Sequence, residues 1–158
     1  MRLARPLTLL TLIAFALAAT TLPACKTKTN DRKLSIVEPT QAEQEMMGRS
    51  GLFGGNKPVR GVYLDPRDED AYRKCHIKGA INVPFPDIET LYSSKLADYD
   101  LIIVYDTDYS DIMAKAASKR LQELGHRDVL TLKGGVKAWA RDGYPVEGTD
   151  VQSVVGKK

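Results

Sequence analysis

The sequence predicts an α/β fold, an open and mostly parallel sheet with helices on both faces. Three observations predict it. Leu101-Ile102-Ile103-Val104-Tyr105 is a continuous apolar run, as expected of a central parallel strand covered on both sides. The segment after it, Ser110 to Leu124, repeats apolar residues at helical spacing. Strand-like and helix-like stretches alternate along the chain, the order that a parallel sheet with crossover connections requires.

The elements follow in order. Leu34 to Val37 predicts a short strand. Pro39 to Met47 predicts a helix, with Pro in its first turn and Gly48 after its end. Ser50 to Pro58 contains Gly51, Gly54, Gly55 and Pro58 and reads as a loop. Val59 to Leu64 predicts a strand and Asp68 to Lys74 a short helix. Ala80 to Val83 is a short strand before Pro84 and Pro86, and Ile88, Leu91, Tyr92 and Leu96 have helical spacing. In the helix from Ser110 to Leu124, the expected buried stripe is Met113, Ala117, Leu121 and Leu124, with Gly125 as the stop. Asp128 to Leu132 is a strand, and Val136 to Arg141 is a helix carrying Trp139 and closed by Gly143. Thr149 to Lys158 shows no pattern and is expected to be a flexible tail.

Composition limits the function classes. The chain has 158 residues, enough for one domain of ordinary size, with 43% hydrophobic and 27% charged residues. The net charge of +3 is small and its Lys and Arg residues are scattered, so no nucleic-acid partner is expected. Two Cys residues exclude a disulfide scaffold and a four-Cys zinc site. His76 and His126 are far apart in sequence and lack nearby Cys partners, so no metal site is expected from them.

The first 24 residues read as an address. Arg2 and Arg5 precede an apolar run from Leu7 to about Ala19, as in a secretory signal peptide. The run is short for a membrane-spanning helix. It ends at Leu22-Pro23-Ala24-Cys25, which resembles a bacterial lipobox. The resemblance implies cleavage before Cys25 and acylation of that residue, hence a membrane anchor. An ordinary signal peptide cut near Ala24 is the alternative. Residues 25–33 are polar and read as a tether, leaving residues 34–148 as the domain. The mature chain then carries 21 basic and 20 acidic side chains. An extracytoplasmic location follows from this reading. With two membranes, Lys26 after the Cys favours the outer one, facing the periplasm.

Three segments in order resemble a rhodanese-homology domain. The first is Leu64-Asp65-Pro66-Arg67 followed by Cys75-His76-Ile77-Lys78-Gly79-Ala80-Ile81-Asn82-Val83-Pro84. The second is the strand Leu101 to Tyr105 with its loop and helix. The third is Gly134-Gly135-Val136-Lys137-Ala138-Trp139 with Gly143-Tyr144-Pro145-Val146. The resemblance implies a rhodanese-like three-layer fold, a central mostly parallel sheet with helices on both faces.

It also implies where chemistry would sit. In active rhodaneses the central strand ends in a nucleophilic Cys, and the loop it begins converges its amides on the sulfur. Here Asp106 stands in that place, and the loop continues Thr107-Asp108-Tyr109-Ser110-Asp111. Tyr109 stands where Gly is common and Asp111 where Arg is common. A carboxylate cannot carry a persulfide, and clustered acids repel thiosulfate or phosphate. The expectation is a domain without catalytic residues and without a cofactor, serving as a binding or scaffold module for a protein partner.

Alternatives stay open on the same residues. Cys75 could be a relocated thiol for sulfur transfer or redox chemistry beside His76, or simply an inert partly buried residue. Asp106, Asp108 and Asp111 could hold a hard cation, or could only cap the following helix. Asp106 and Asp108 also resemble the Asp-x-Asp of haloacid-dehalogenase-type phosphotransferases, but the chain is small for that fold. Gly79, Gly134 and Gly135 are expected in tight turns, Trp139 in the core, His76 in a structural hydrogen bond, and His126 at the surface. Arg67 is expected to pair with Asp65 or a nearby acid and hold its loop.

Overall fold

Five strands, all parallel, form the central sheet of the computed structural model, which describes residues 33–48, 60–110 and 112–156. They are β1 (Ser35–Val37), β2 (Gly61–Asp65), β4 (Ile81–Asn82), β5 (Leu101–Val104) and β6 (Asp128–Leu132), in the spatial order β1-β6-β5-β2-β4. The most apolar run, β5, is central and wholly buried. A second, two-stranded antiparallel sheet joins β3 (His76–Ile77) to β7 (Val146–Glu147), with His76 opposite Glu147 and Ile77 opposite Val146.

Alternation along the strands builds two cores, one on each face of the sheet. Tyr63, Leu101, Ile103 and Leu132 point to one face. There they meet Ala42 of α1 (Pro39–Met46) and Val136 and Trp139 of α5 (Gly135–Arg141). Val62, Leu64, Ile102, Val104 and Val129 point to the other face. They meet Ile88 of α3 (Ile88–Leu91), Leu96 at the end of a π-helical turn (Tyr92–Leu96), and Ala114, Ala117 and Leu121 of α4 (Ile112–Glu123). The expected α/β sheet with helices on both faces is present. Between β2 and β3 lies α2 (Glu69–Lys74), whose first turn is capped by Asp68 accepting from the Ala71 amide at 2.8 Å.

Four expectations need correction. The buried stripe of α4 is Ala114, Ala117, Ser118 and Leu121, not one beginning at Met113, which is exposed. The phase shift lets two small residues lie against the sheet, where Ser118 Oγ and Thr131 Oγ1 share a buried hydrogen bond of 2.8 Å. The C-terminal segment is not patternless. It forms α6 (Val151–Val155), and Val151, Val154 and Val155 pack on the Trp139 side of the core at positions one helical turn apart. His126 is buried, with 8% of its surface exposed, because its ring folds against Tyr92 of the π turn. The pair β3–β7 was not expected at all.

Trp139 is buried as expected. Its indole N–H donates to the Pro145 carbonyl at 3.1 Å, and its ring stacks on Tyr144 and meets Tyr63 edge-on. The signal segment 1–24, Cys25 and residues 26–32 lie outside the described residues, as do residues 49–59 and Asp111. Among the described residues no helix is long and apolar enough to cross a membrane.

Candidate functional site

In parallel α/β sheets, ligand sites form beyond the carboxyl ends of the strands, so the loop after central β5 is the place to build from. Tyr105 ends the buried run, and its amide donates to the Leu64 carbonyl at 3.1 Å, extending the ladder by one bond. The chain then leaves the sheet at Asp106.

The Asp106 carboxylate turns back on its own loop. Oδ1 accepts from the Thr107 amide at 2.7 Å and Oδ2 from the Met113 amide at 2.9 Å. Met113 is in the first turn of α4, so Asp106 satisfies a helix donor that has no intrahelical partner. Asp108 closes the turn that precedes the helix. Its Oδ1 accepts from the Ser110 amide at 3.1 Å and the Ser110 hydroxyl at 3.0 Å. These Ser110 hydrogen bonds, with Lys137 Nζ at 3.4 Å, hold the Asp108 carboxyl below the usual carboxylate range. The Thr107, Ser110 and Met113 amides are thus taken by carboxylates from within the loop.

The loop is clamped onto α5. The Asp106 and Thr107 carbonyls accept from the Val136 and Lys137 amides at 2.8 and 3.1 Å, satisfying the start of that helix. The fit requires glycine. Gly135 has φ +57°, and a Cβ there would sit 2.0 Å from the Asp106 carbonyl oxygen. Gly134, with φ +75°, leaves room for the Tyr109 ring, whose atoms would lie 2.9 Å from a Cβ. Tyr109 stays 52% exposed. Its hydroxyl accepts from Arg141 Nη1 at 2.5 Å, and the guanidinium lies over its ring at 5.8 Å.

Beneath the loop sits a buried ion pair. Arg67 Nε and Nη2 donate to the two oxygens of Asp65 at 2.9 and 2.5 Å, as the sequence led us to expect. Nη2 also donates to the Cys75 carbonyl at 2.7 Å, and Nη1 to Thr107 Oγ1 at 3.3 Å. Arg67 therefore connects the Asp65-Pro66-Arg67 turn, the end of α2 and the loop after β5. Tyr105 reaches the same cluster. The Ile77 amide donates to its hydroxyl at 3.3 Å, and burial beside Asp65 pushes its pKa well up.

Cys75 is fully buried in the core next to this cluster. Burial raises its thiol pKa, more than the nearby Arg67 lowers it. His76 is not directed at it by any hydrogen bond. Its Nδ1 contacts the Tyr72 carbonyl at 2.8 Å, its ring stacks on Tyr72 at 3.9 Å, and Nε2 lies 3.9 Å from Glu147. Among the described residues, no three His, Cys, Asp or Glu side chains are grouped to hold a metal ion.

Sequence reasoning singled out the loop and the Arg67–Asp65 pair separately, did not bring them together, and missed three participants. Tyr105, Lys137 and Arg141 carry no motif signal of their own. The signals that could have found them are the place of Tyr105 directly before Asp106 and the basic residues Lys137 and Arg141 one helical turn apart after Gly134-Gly135.

A Rhodanese-like domain model matches residues 51–142 of the chain. Among curated proteins, the rat centrosomal protein of 41 kDa is 34% identical over 119 residues, covering 68% of this chain and 34% of that protein. The human counterpart is 34% identical over 88 residues, covering 51% of this chain and 23% of its own length. The chain thus spans about a third or less of the curated relatives it matches. Among solved structures, the Rhodanese-like domain of an Anabaena protein is 27% identical with a TM-score of 0.56, covering 72% of this chain and 79% of that one. A Bacillus halodurans protein is 26% identical with a TM-score of 0.59, covering 73% and 78%. The thiosulfate sulfurtransferase of Pseudomonas aeruginosa shares the fold at 21% identity and a TM-score of 0.60, covering 75% of this chain and 20% of that one. With the family model matching more than half its length, and the sheet order and loop placement described above, this chain belongs to the rhodanese-like domain family.

Proposed function

We propose that this chain is a non-catalytic rhodanese-like module that binds a protein partner outside the cytoplasm, anchored to a membrane through a lipid on Cys25. One observation supports the non-catalytic reading above all. The resemblance places Asp106 where active rhodaneses carry their nucleophile, and its carboxylate accepts the Thr107 and Met113 amides itself. A persulfide needs a thiol at that position, and an external oxyanion needs those amides free. Asp106 offers no thiol, and its carboxylate occupies two of those amides, which supports the non-catalytic reading. The centrosomal relatives bear a name that refers to an assembly and not to a reaction, which accords with a binding role.

The test is thiocyanate production from thiosulfate and cyanide by the purified protein. The expected rate is background, unchanged in Cys75→Ser. Sustained turnover would overturn the reading, and its loss in Cys75→Ser would assign sulfur transfer to that thiol. Asp106→Cys alone is expected to stay inactive, because the Asp108 carboxylate still holds Ser110 and disfavours both a thiolate and an anionic donor nearby. The anchor is tested separately. Mass spectrometry of the native protein is expected to show an acylated N-terminal Cys25, absent in Cys25→Ser. An unmodified N-terminus elsewhere would remove the anchor from the proposal.

A further inference from the structure

The sheet ends on β4, which among the described strands pairs with β2 alone, and a groove runs beside it. In β2, the Leu64 carbonyl faces β5, where it accepts from Tyr105. The neighbouring carbonyls therefore face β4, and the Val83 amide donates to Asp65 accordingly. By the same alternation, the amide and carbonyl of Asn82 point away from the sheet. The side chain of Asn82 is turned inward, its Nδ2 donating to the Asp65 and Arg67 carbonyls at 2.9 Å each. Asn82 thus offers one free backbone donor and one free acceptor on an edge strand.

The groove beside this edge has a volume of about 760 Å³. It is lined by the stacked rings of Tyr72 and His76 and by Asp87, Leu91 and Lys95. Two of its lining charges are already matched. Arg73 pairs with Asp70, and Glu147 lies 3.7 Å from Lys78. Glu69, Asp87 and Lys95 make no ion pair with a described residue, which leaves two acids against one base.

We propose that this groove receives an extended, basic polypeptide segment of a partner, added to the sheet as a strand on Asn82. Backbone pairing with Asn82 gives the strand its register, and the pockets on each side take its alternate side chains. An arginine suits the groove twice, by facing the uncompensated acids and by stacking on the Tyr72–His76 rings. The chain's own N-terminal segment enters at the opposite edge, since Lys33 precedes β1, which is four strands away from β4. The proposal does not depend on whether the Asp106 loop is catalytic.

The experiment uses the full chain labelled with 15N and an acetylated Val-Arg-Val-Arg-Val amide as probe. The Asn82 amide is expected to exchange freely in the protein alone and to slow about fivefold when the peptide is saturating, the effect of one added hydrogen bond. Shifts are expected at Glu69, Tyr72 and Asp87. Asp87→Lys is expected to weaken binding roughly threefold, as for one exposed ion pair. Three results would overturn the proposal. They are an Asn82 amide already protected in the free chain, whether by its own residues or by a second copy; equal binding of a Val-Glu-Val-Glu-Val amide; and equal binding of the arginine peptide with alternate amides N-methylated.

Discussion

Arg67 and Asp65, two residues apart, close a two-pronged ion pair in which Arg67 is 6% exposed and Asp65 not at all. Such a pair is maintained by complete hydrogen bonding on both sides, because desolvation of the charges offsets much of their attraction. Asp65 also accepts from the Arg67 amide at 3.0 Å, and Arg67 reaches Cys75 and Thr107.

Removing one partner leaves the other charge buried and alone. Arg67→Met is expected to lower unfolding free energy by about 3–5 kcal/mol. The double change Asp65→Leu with Arg67→Met is expected to be less damaging than the single one. Urea denaturation of the three proteins gives the comparison. A single variant no worse than the double would mean that the pair is solvated in solution.

The two glycines of the turn before α5 and the one after β3 separate backbone strain from collision. Gly79 has φ +77° with nothing near a would-be Cβ, so Gly79→Ala is expected to cost about 1–2 kcal/mol for its left-handed backbone alone. Gly135→Ala adds the contact with the Asp106 carbonyl and is expected to cost clearly more. It should also release the loop, seen as loss of protection at the Val136 and Lys137 amides. Equal costs at both sites would contradict the clamped geometry.

His126 supplies a pH dependence. Burial lowers its pKa below the usual imidazole value, outweighing the opposing pull of Asp128 and Asp100. The folded state thus resists protonation while the unfolded chain accepts it near pH 6.5. The contribution is absent above that value, and stability falls as pH drops below it, by at most about 1.4 kcal/mol per pH unit. Among the described residues its Nε2 has no hydrogen-bond partner, and its Nδ1 faces the Tyr92 hydroxyl at 3.1 Å, so a proton on Nε2 would gain no hydrogen bond. Urea midpoints between pH 5 and 8 should show that slope, and His126→Gln should flatten it. An unchanged slope would transfer the effect to another group.

Cys75 should be silent to thiol reagents in the folded protein. It is fully buried and its thiolate is disfavoured by burial. Labelling mapped to Cys75 is expected to proceed only as fast as the protein opens, and to become rapid in denaturant. Fast labelling of the native chain would revive the thiol reading.

The sheet was legible because its strongest strand is apolar on both sides and its helices are amphipathic. Those patterns report burial, and burial decides the layers. The loop was legible through Asp106, because a residue type that cannot carry a sulfur intermediate is visible without coordinates. What was not legible depends on contacts between distant segments. His126 is buried by Tyr92, 34 residues earlier, whereas its place after the helix stop at Gly125 read as surface. The α6 signal was present in Asp150 followed by Val151, Val154 and Val155, but a five-residue helix has too few turns to show a period. The β3–β7 pair has two residues per strand, and its register is set by the Lys78 amide donating to Pro145 and by the Trp139–Pro145 bond, not by local pattern.

The placement of β1 has a consequence for the order in which the chain can fold during synthesis. β1 is made first, yet its one neighbour in the sheet is β6, and the Glu38–Lys133 contact beside that pairing spans 95 residues. Until residues 128–132 emerge, the first strand has nothing to pair with, and closing so long a stretch is an entropic cost that the last helices must offset. β1 therefore remains outside the folded sheet for most of the time the chain is being made. Any enzyme that must reach the beginning of the chain has that interval in which to act.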